Sequence, residues 1–381
     1  MKKLDLNLLK TNIKKVAEYD FINNKVFGSA YCVIQDNEVV YENCFGNTSV
    51  NTAKPVTKDT LFRLASMTKP ITAMATLILV ERGLLSLSDK VSDYLTEFKD
   101  IHITELTDNG EIIDLGKAKN DITICNLLTH TSGIEGGDPK RLNMTDKDKA
   151  SIDNTVKYYC NIGLDFEPST KQQYSGTGAF DVLTKIIENI TNTDYLTFLK
   201  QEIFTPCGMS NTTFIPNAKQ WEQMIDMHTK IDGKNGVEKM YENCVFVNYP
   251  CTHFLGGAGL ASTLSDYSKF AQMLLNKGKT PTKQIISEET FKLLHTPYVP
   301  QELMLSNESW GLGVRVIVNE AYKNLPVGAF GWSGAYGSHF WVDPENKVAA
   351  IFMKNSMFDG GGANESARNF EKAVNDSFSN I

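Results

Sequence analysis

Residues 61–85 read LFRLASMTKPITAMATLILVERGLL. A short β-prone run, Leu61–Arg63, gives way to a long apolar stretch with helical spacing, and Met67–Arg82 is predicted to be a helix. Pro70 falls in the first turn, where no ladder hydrogen bond is lost. Ser66 and Lys69 stand three apart at the helix start, on one face and one turn apart. A serine hydroxyl is a poor nucleophile until a base takes its proton. A lysine amine can take that role when burial beside a partner lowers its basicity. The helix N-terminus also offers unpaired N–H groups to an anion. The Ser-x-x-Lys spacing is weak by itself, but Ser66 is the only serine here followed by lysine at the third position. The bland alternative is a surface helix with a capping serine.

Outward from this segment, the two chain ends carry strands. Ala30–Ile34 and Val39–Tyr41 flank Asp36-Asn37, a hairpin signal. Ser338–Val342 and Val348–Met353 flank Asp343-Pro344-Glu345-Asn346, a second hairpin. Gly360-Gly361-Gly362 then breaks the chain before a final helix with Phe370, Ala373, Val374 and Phe378 on one stripe. At the other end Leu6, Leu9, Ile13, Val16 and Ala17 share a helix face. Helices are predicted through the middle, at Ile122–Leu128, Gly178–Ile190, Asp194–Ile203, Asp266–Asn276 and Glu288–Leu294, with Ser265 and Ser287 as N-caps of the last two. The predicted class is α+β: an antiparallel sheet from both termini, flanked by terminal helices, with a mainly helical lobe inserted. The 381 residues form one catalytic domain in this reading, with a sheet lobe over about 1–75 and 255–381 and a helical lobe over about 76–254.

Composition narrows the function classes. The chain is 41% hydrophobic and 22% charged, with a formal net charge of −7 and no basic cluster, so nucleic acid and anionic membrane surfaces are not expected partners. The seven cysteines, Cys32, Cys44, Cys125, Cys160, Cys207, Cys244 and Cys251, are scattered without C-x-x-C spacing, and they read as buried free thiols in a reduced compartment. The histidines lack metal-ligand spacing, so no metal is expected. The glycines at 256, 257 and 259 do not form a nucleotide loop, and no cofactor is expected. The first twenty residues lack the apolar run of a signal peptide, and no stretch has the length of a membrane span, so the expected location is cytoplasmic.

Five ordered segments resemble the serine hydrolase family of class C β-lactamases, penicillin-binding peptidases and their related esterases. These are SMTKPITA around Ser66, LLTHTSGI at Leu127–Ile134, QYSGTG with Tyr174, GGAGLAST from Gly256, and Trp332-Ser333-Gly334, where lactamases carry Lys-Thr-Gly. The resemblance spans roughly residues 25 to 375 and implies the β-lactamase/DD-peptidase-like fold, with its active site between sheet and helical lobe. It implies Ser66 as nucleophile, Lys69 and Tyr174 as the proton-handling pair, and the amides of Ser66 and Ala335 as oxyanion hole. Ala335 would sit at the end of an edge strand. Trp332, Ser333, Gly334 and Gly176 would line the substrate site, and His130 would be structural. Two departures stand out. Gly176 replaces the family asparagine that holds an amide carbonyl, and Trp332 replaces the cation that faces a carboxylate. Both favour a neutral ester over an anionic amide. The expected partner is a small ester, amide or β-lactam; the oligomeric state is not legible. A carboxylesterase or acyltransferase is the leading expectation. A penicillin-binding D-alanyl peptidase or β-lactamase, and a non-catalytic scaffold, are the alternatives.

Overall fold

The computed structural model describes residues 2–135, 150–238, 253–304, 307–362 and 364–379. Cys244 and Cys251 lie outside the described residues. The elements that frame the site run in order as helix α1 (Leu6–Ile22), strands β1 (Gly28–Gln35), β2 (Glu38–Ser49) and β3 (Thr52–Pro55), and helices α2 (Lys69–Glu81), α3 (Gly178–Thr191) and α4 (Leu264–Leu275). Strands β4 (Glu308–Trp310), β5 (Arg315–Ile317), β6 (Phe330–Ser333), β7 (His339–Asp343) and β8 (Val348–Met353) follow, and helix α5 (Glu365–Asn375) comes last.

These eight strands form one sheet in the order β4-β5-β6-β7-β8-β1-β2-β3, and three separate two-stranded sheets accompany it among the described residues. Every pairing is antiparallel. The two chain ends meet where β1 pairs with β8, Cys32 opposite Ile351. Asp36 and Asn37 turn the first hairpin with φ of 50° and 69°, the left-handed geometry that matches strand twist.

Both faces of the central strands are covered, which explains their unbroken apolar runs. On β1, Ala30, Cys32 and Ile34 face the large core shared with the helices of the middle, while Tyr31 and Val33 face α1 and α5. The alternation continues on β8, where Ala349, Ile351 and Met353 point to the first core and Val348, Ala350 and Phe352 to the second. Tyr31 stacks on Phe352 at 4.7 Å and meets Phe370 of α5 edge-on at 5.2 Å.

Several boundaries differ from the sequence reading. Leu6 is exposed, and Asp20 takes its place on the buried face of α1. The cap of α4 is Thr263, whose side chain accepts from the Asp266 amide, so Ser265 already lies inside the helix. Phe378 falls beyond the end of α5 but still packs against its core. The helix expected over Asp194–Ile203 stays α-helical only to Leu199, and a π-helical turn follows at Lys200–Phe204. The strand β6 is not an edge. Two three-residue strands, β4 and β5, lie outside it, too short to show a period of two. Cys32, Cys44, Cys125, Cys160 and Cys207 are free thiols, and burial pushes the Cys32 thiol up to about 12. No helix among the described residues is long and apolar enough to cross a membrane.

Candidate active site

Ser66 lies in a 3-10 turn, Ala65–Thr68, that leads directly into α2. Ala65 precedes it with φ 45°, a left-handed conformation rare for a residue with a side chain and a common form of strain at functional sites. The turn is braced from behind. The Leu64 amide donates to Leu260 O at 2.9 Å, the Leu260 amide to Thr68 Oγ1 at 3.2 Å, and Tyr267 OH to Met67 O at 2.9 Å. The glycine-rich segment that begins at Gly256 is therefore the buttress of the nucleophile turn.

Lys69 is fully buried. Its Nζ donates to Ser66 Oγ at 3.3 Å, to Gly176 O at 2.6 Å and to Gly257 O at 2.9 Å. The ammonium also sits over the rings of Tyr174 at 4.8 Å and Phe180 at 5.1 Å. Among the described residues no carboxylate forms an ion pair with it. Its nitrogen is held by neutral dipoles and ring faces close to the serine oxygen, and the buried Glu135 carboxyl feels its charge without a direct ion pair. That arrangement suits proton transfer more than stability.

Tyr174 is placed by an aromatic nest. Its ring lies 4.5 Å from His130, 5.8 Å from Trp310 and 5.5 Å from Trp332. His130 is buried, has φ 59°, and accepts the Ser175 amide on Nδ1 at 3.1 Å. Burial first, and the Lys69 ammonium second, hold its imidazole well below the usual range, so it is a neutral wedge under Tyr174. The Tyr174 hydroxyl accepts from Trp332 Nε1 at 3.2 Å. Among the described residues its hydrogen bond runs to Trp332, while the Ser66 oxygen is taken by Lys69. Trp332 thus gives the phenol a neutral N–H where lactamases carry an ammonium.

Gly176 contributes its backbone carbonyl to Lys69, a contact that sequence reading missed because main-chain atoms carry no residue signature. A Cβ there would meet nothing nearer than Glu135 Oε1 at 3.6 Å, so the backbone does not demand glycine. The same carboxylate accepts from the amides of Thr177 at 2.8 Å and Gly178 at 2.6 Å and closes the N-terminus of α3. Burial raises its pKa against the pull of those two amides.

Ser333 departs from expectation. Alternation along β6 sends Trp332 toward Tyr174 and Ser333 to the opposite face. There its Oγ meets His339 Nδ1 at 2.7 Å, and His339 Nε2 meets Glu371 Oε1 of α5 at 3.0 Å. Arg315 donates to the same carboxylate at 2.6 Å. Burial alone would push Glu371 up, but Arg315, His339 and Arg368 bring it down to about 2. Ser333 therefore ties β6 to the terminal helix and does not touch the cleft. Gly334 and Ala335 do lie beside the nucleophile turn: a Cβ on Gly334 would fall 2.2 Å from Leu64 O. The amides of Ser66 and Ala335 have no hydrogen-bond acceptor among the described residues.

The chain as a whole is similar to known proteins. The Beta-lactamase family profile covers residues 11–373. Esterase EstB of Burkholderia gladioli is 26% identical over 386 residues, covering 94% of this chain and 93% of its own. A putative D-alanyl-D-alanine carboxypeptidase of Escherichia coli O157:H7 is 28% identical, over 85% of this chain and 77% of its own. Among solved structures, EstCE1, described as a hydrolase with promiscuous acyltransferase activity, superposes with a TM-score of 0.82 over 97% of this chain and 99% of its own, at 20% identity. This chain belongs to the Beta-lactamase family.

Proposed function

We propose that this serine acyl hydrolase forms a covalent acyl-enzyme on Ser66 and prefers small neutral esters to anionic β-lactams or peptides. The observation that carries the reading is Lys69, fully buried, 3.3 Å from Ser66 Oγ and held by two backbone carbonyls, with no direct ion pair among the described residues. In this mechanism the Lys69–Tyr174 pair enters the step one proton short, as a neutral amine beside a phenol or an ammonium beside a phenolate; Ser66 Oγ attacks the acyl carbon and its proton fills that vacancy. The amides of Ser66 and Ala335 hold the oxyanion, and such a donor contributes about 3–4 kcal/mol to the transition state. The alcohol leaves with a proton returned by the same pair. Water or another acceptor then attacks the acyl-enzyme, restoring Ser66. The sheet lobe (about 1–75 and 255–381) and the helical lobe (about 76–254) act as one catalytic domain with this cleft between them.

The preference for neutral esters rests on Trp332 and Gly176. An indole N–H replaces a cation, and a bare backbone position replaces an amide side chain. EstB supports an ester substrate, and the carboxypeptidase relative supports the alternative. The test is hydrolysis of p-nitrophenyl butyrate against a chromogenic cephalosporin, with Ser66→Ala as control. The expected result is fast ester release, slow cephalosporin opening, and loss of both by about 10⁴–10⁶-fold in the variant. Efficient cephalosporin turnover would overturn the substrate preference. Ester turnover that survives in Ser66→Ala would overturn the nucleophile.

A further inference from the structure

The glycine run Gly360-Gly361-Gly362 does more than end a strand. It lies directly against the turn that carries Ala335. A Cβ on Gly360 would fall 1.7 Å from Ala335 O, and one on Gly362 would meet Trp332 Cη2 at 3.4 Å. The Gly361 amide donates to Gly334 O at 3.0 Å, and the Gly337 amide donates to the same oxygen at 2.9 Å. Gly334 O and the Ala335 N–H belong to one planar trans peptide, so they point in opposite directions. Two donors pulling on the carbonyl therefore aim the Ala335 N–H the other way and polarise it.

The run is itself moored. Asp359 forms a buried ion pair with Lys354, which follows β8 and is fully buried. Ser366 of α5 lies 2.6 Å from Asp359 Oδ2 and 3.0 Å from Lys354 Nζ. Lys354 is bound in turn to the far end of the Ala335 turn. Its carbonyl accepts from Ser338 Oγ at 2.8 Å, and its amide donates back at 3.2 Å. The Ser356 amide donates to Tyr336 O at 2.9 Å. The turn 334–337 is thus clamped between the nucleophile turn at Leu64 and this strap.

We propose that residues 359–362, anchored by the Lys354–Asp359 pair, are a positioning element that aims the Ala335 amide into the cleft and backs the acyl pocket at Trp332. The inference rests on the reading of Ala335 as an oxyanion donor. None of these residues touches the reacting atoms; they act through the Gly334–Ala335 peptide.

Gly360→Ala tests this in the full-length protein. The added methyl must displace Ala335 O, which belongs to the Ala335–Tyr336 peptide, and through the Ala335 Cα it shifts the adjoining Gly334–Ala335 peptide that carries the N–H. The expected result is a fall in kcat for p-nitrophenyl butyrate of about 10²–10³-fold, the value of one lost oxyanion donor. KM should stay within a few-fold, and the Ki of butylboronic acid, a tetrahedral mimic, should rise in step with the fall in kcat. A merely structural role would lower the melting temperature and leave kcat and Ki of the folded fraction alone. If Gly360→Ala does not fold, Asp359→Asn carries the test, with the same coupled change in kcat and Ki at smaller size. Wild-type kcat and Ki in a folded Gly360→Ala or Asp359→Asn would overturn the proposal. A wild-type protein that a fluorophosphonate does not label at Ser66 would instead sink the nucleophile reading, and this inference with it.

Discussion

Two lysines, Lys69 and Lys354, are completely buried in this protein and live in opposite surroundings. Lys354 sits among carboxylates. It pairs with Asp359, and Asp20 lies one hydroxyl away, with Ser366 Oγ at 2.8 Å from Asp20 Oδ1. Lys69 has two backbone carbonyls, a serine oxygen and two ring faces. Burying an ammonium costs several kcal/mol, and a counterion with good hydrogen bonds can offset it. Lys354 has carboxylates beside it, although burial still outweighs them and holds its ammonium below the usual lysine range, and its partners tie it to the architecture. Lys69 forms no direct ion pair among the described residues, and its contacts run to the nucleophile oxygen and to backbone carbonyls, where a proton can be exchanged with Ser66.

Replacing each lysine by methionine should separate the two roles. Lys69→Met is expected to cut ester turnover by about 10²–10⁴-fold, the contribution of a positioned proton carrier. Its stability should fall less than that of Lys354→Met, because the Ser66 hydroxyl and two carbonyls lose a partner and Glu135 a nearby charge while a buried charge disappears. Lys354→Met should do the reverse. It leaves Asp359 with only the more distant Lys25, at 3.9 Å, and should cost up to about 3–5 kcal/mol of unfolding free energy. Its loss of turnover should not exceed about a hundredfold, the smaller value of one oxyanion donor. Urea unfolding and p-nitrophenyl butyrate kinetics on both variants check this. If both variants lose stability equally and keep equal activity, the contrast is false.

A smaller effect sharpens the Lys354 side. Burial raises the Asp20 carboxyl from 3.8 to about 6 despite the help of Lys354 and Ser366. A carboxyl whose folded pKa is raised binds more protons folded than unfolded. It therefore withdraws stability as pH climbs from about 4 to 6, and the loss stays constant above that. Asp20→Asn should be more stable than wild type at pH 7–8, by no more than about 3 kcal/mol at 1.36 kcal/mol per pKa unit. The advantage should vanish below pH 4. A variant less stable than wild type at pH 8 would show that the Asp20 charge is needed by Lys354.

The sequence made local relations legible and hid the long-range ones. Ser66 and Lys69 are one turn apart, so spacing alone brought them together. The hairpins at Asp36-Asn37 and Asp343–Asn346 announced themselves by turn chemistry, and the terminal strands by apolar runs buried on both faces. By contrast, nothing in Trp332-Ser333-Gly334 says which face of the strand meets the cleft, and Ser333 proved to face His339. The carbonyl of Gly176 is invisible in any residue code. Lys354 carries no mark in the sequence, because Asp20 comes from the other end of the chain and nothing local says that Asp359 and Ser366, five and twelve residues on, fold back onto it. Three glycines read as a chain break, yet the structure uses their missing side chains to let two backbones touch.

The most direct measurement is intact-protein and peptide mass spectrometry after brief exposure to a fluorophosphonate or to p-nitrophenyl butyrate. One adduct per chain, located on Ser66, absent in Ser66→Ala and slowed in Lys69→Met, is the predicted result. An adduct on any other residue, or a fully active protein with Ser66 unmodified, would contradict the account.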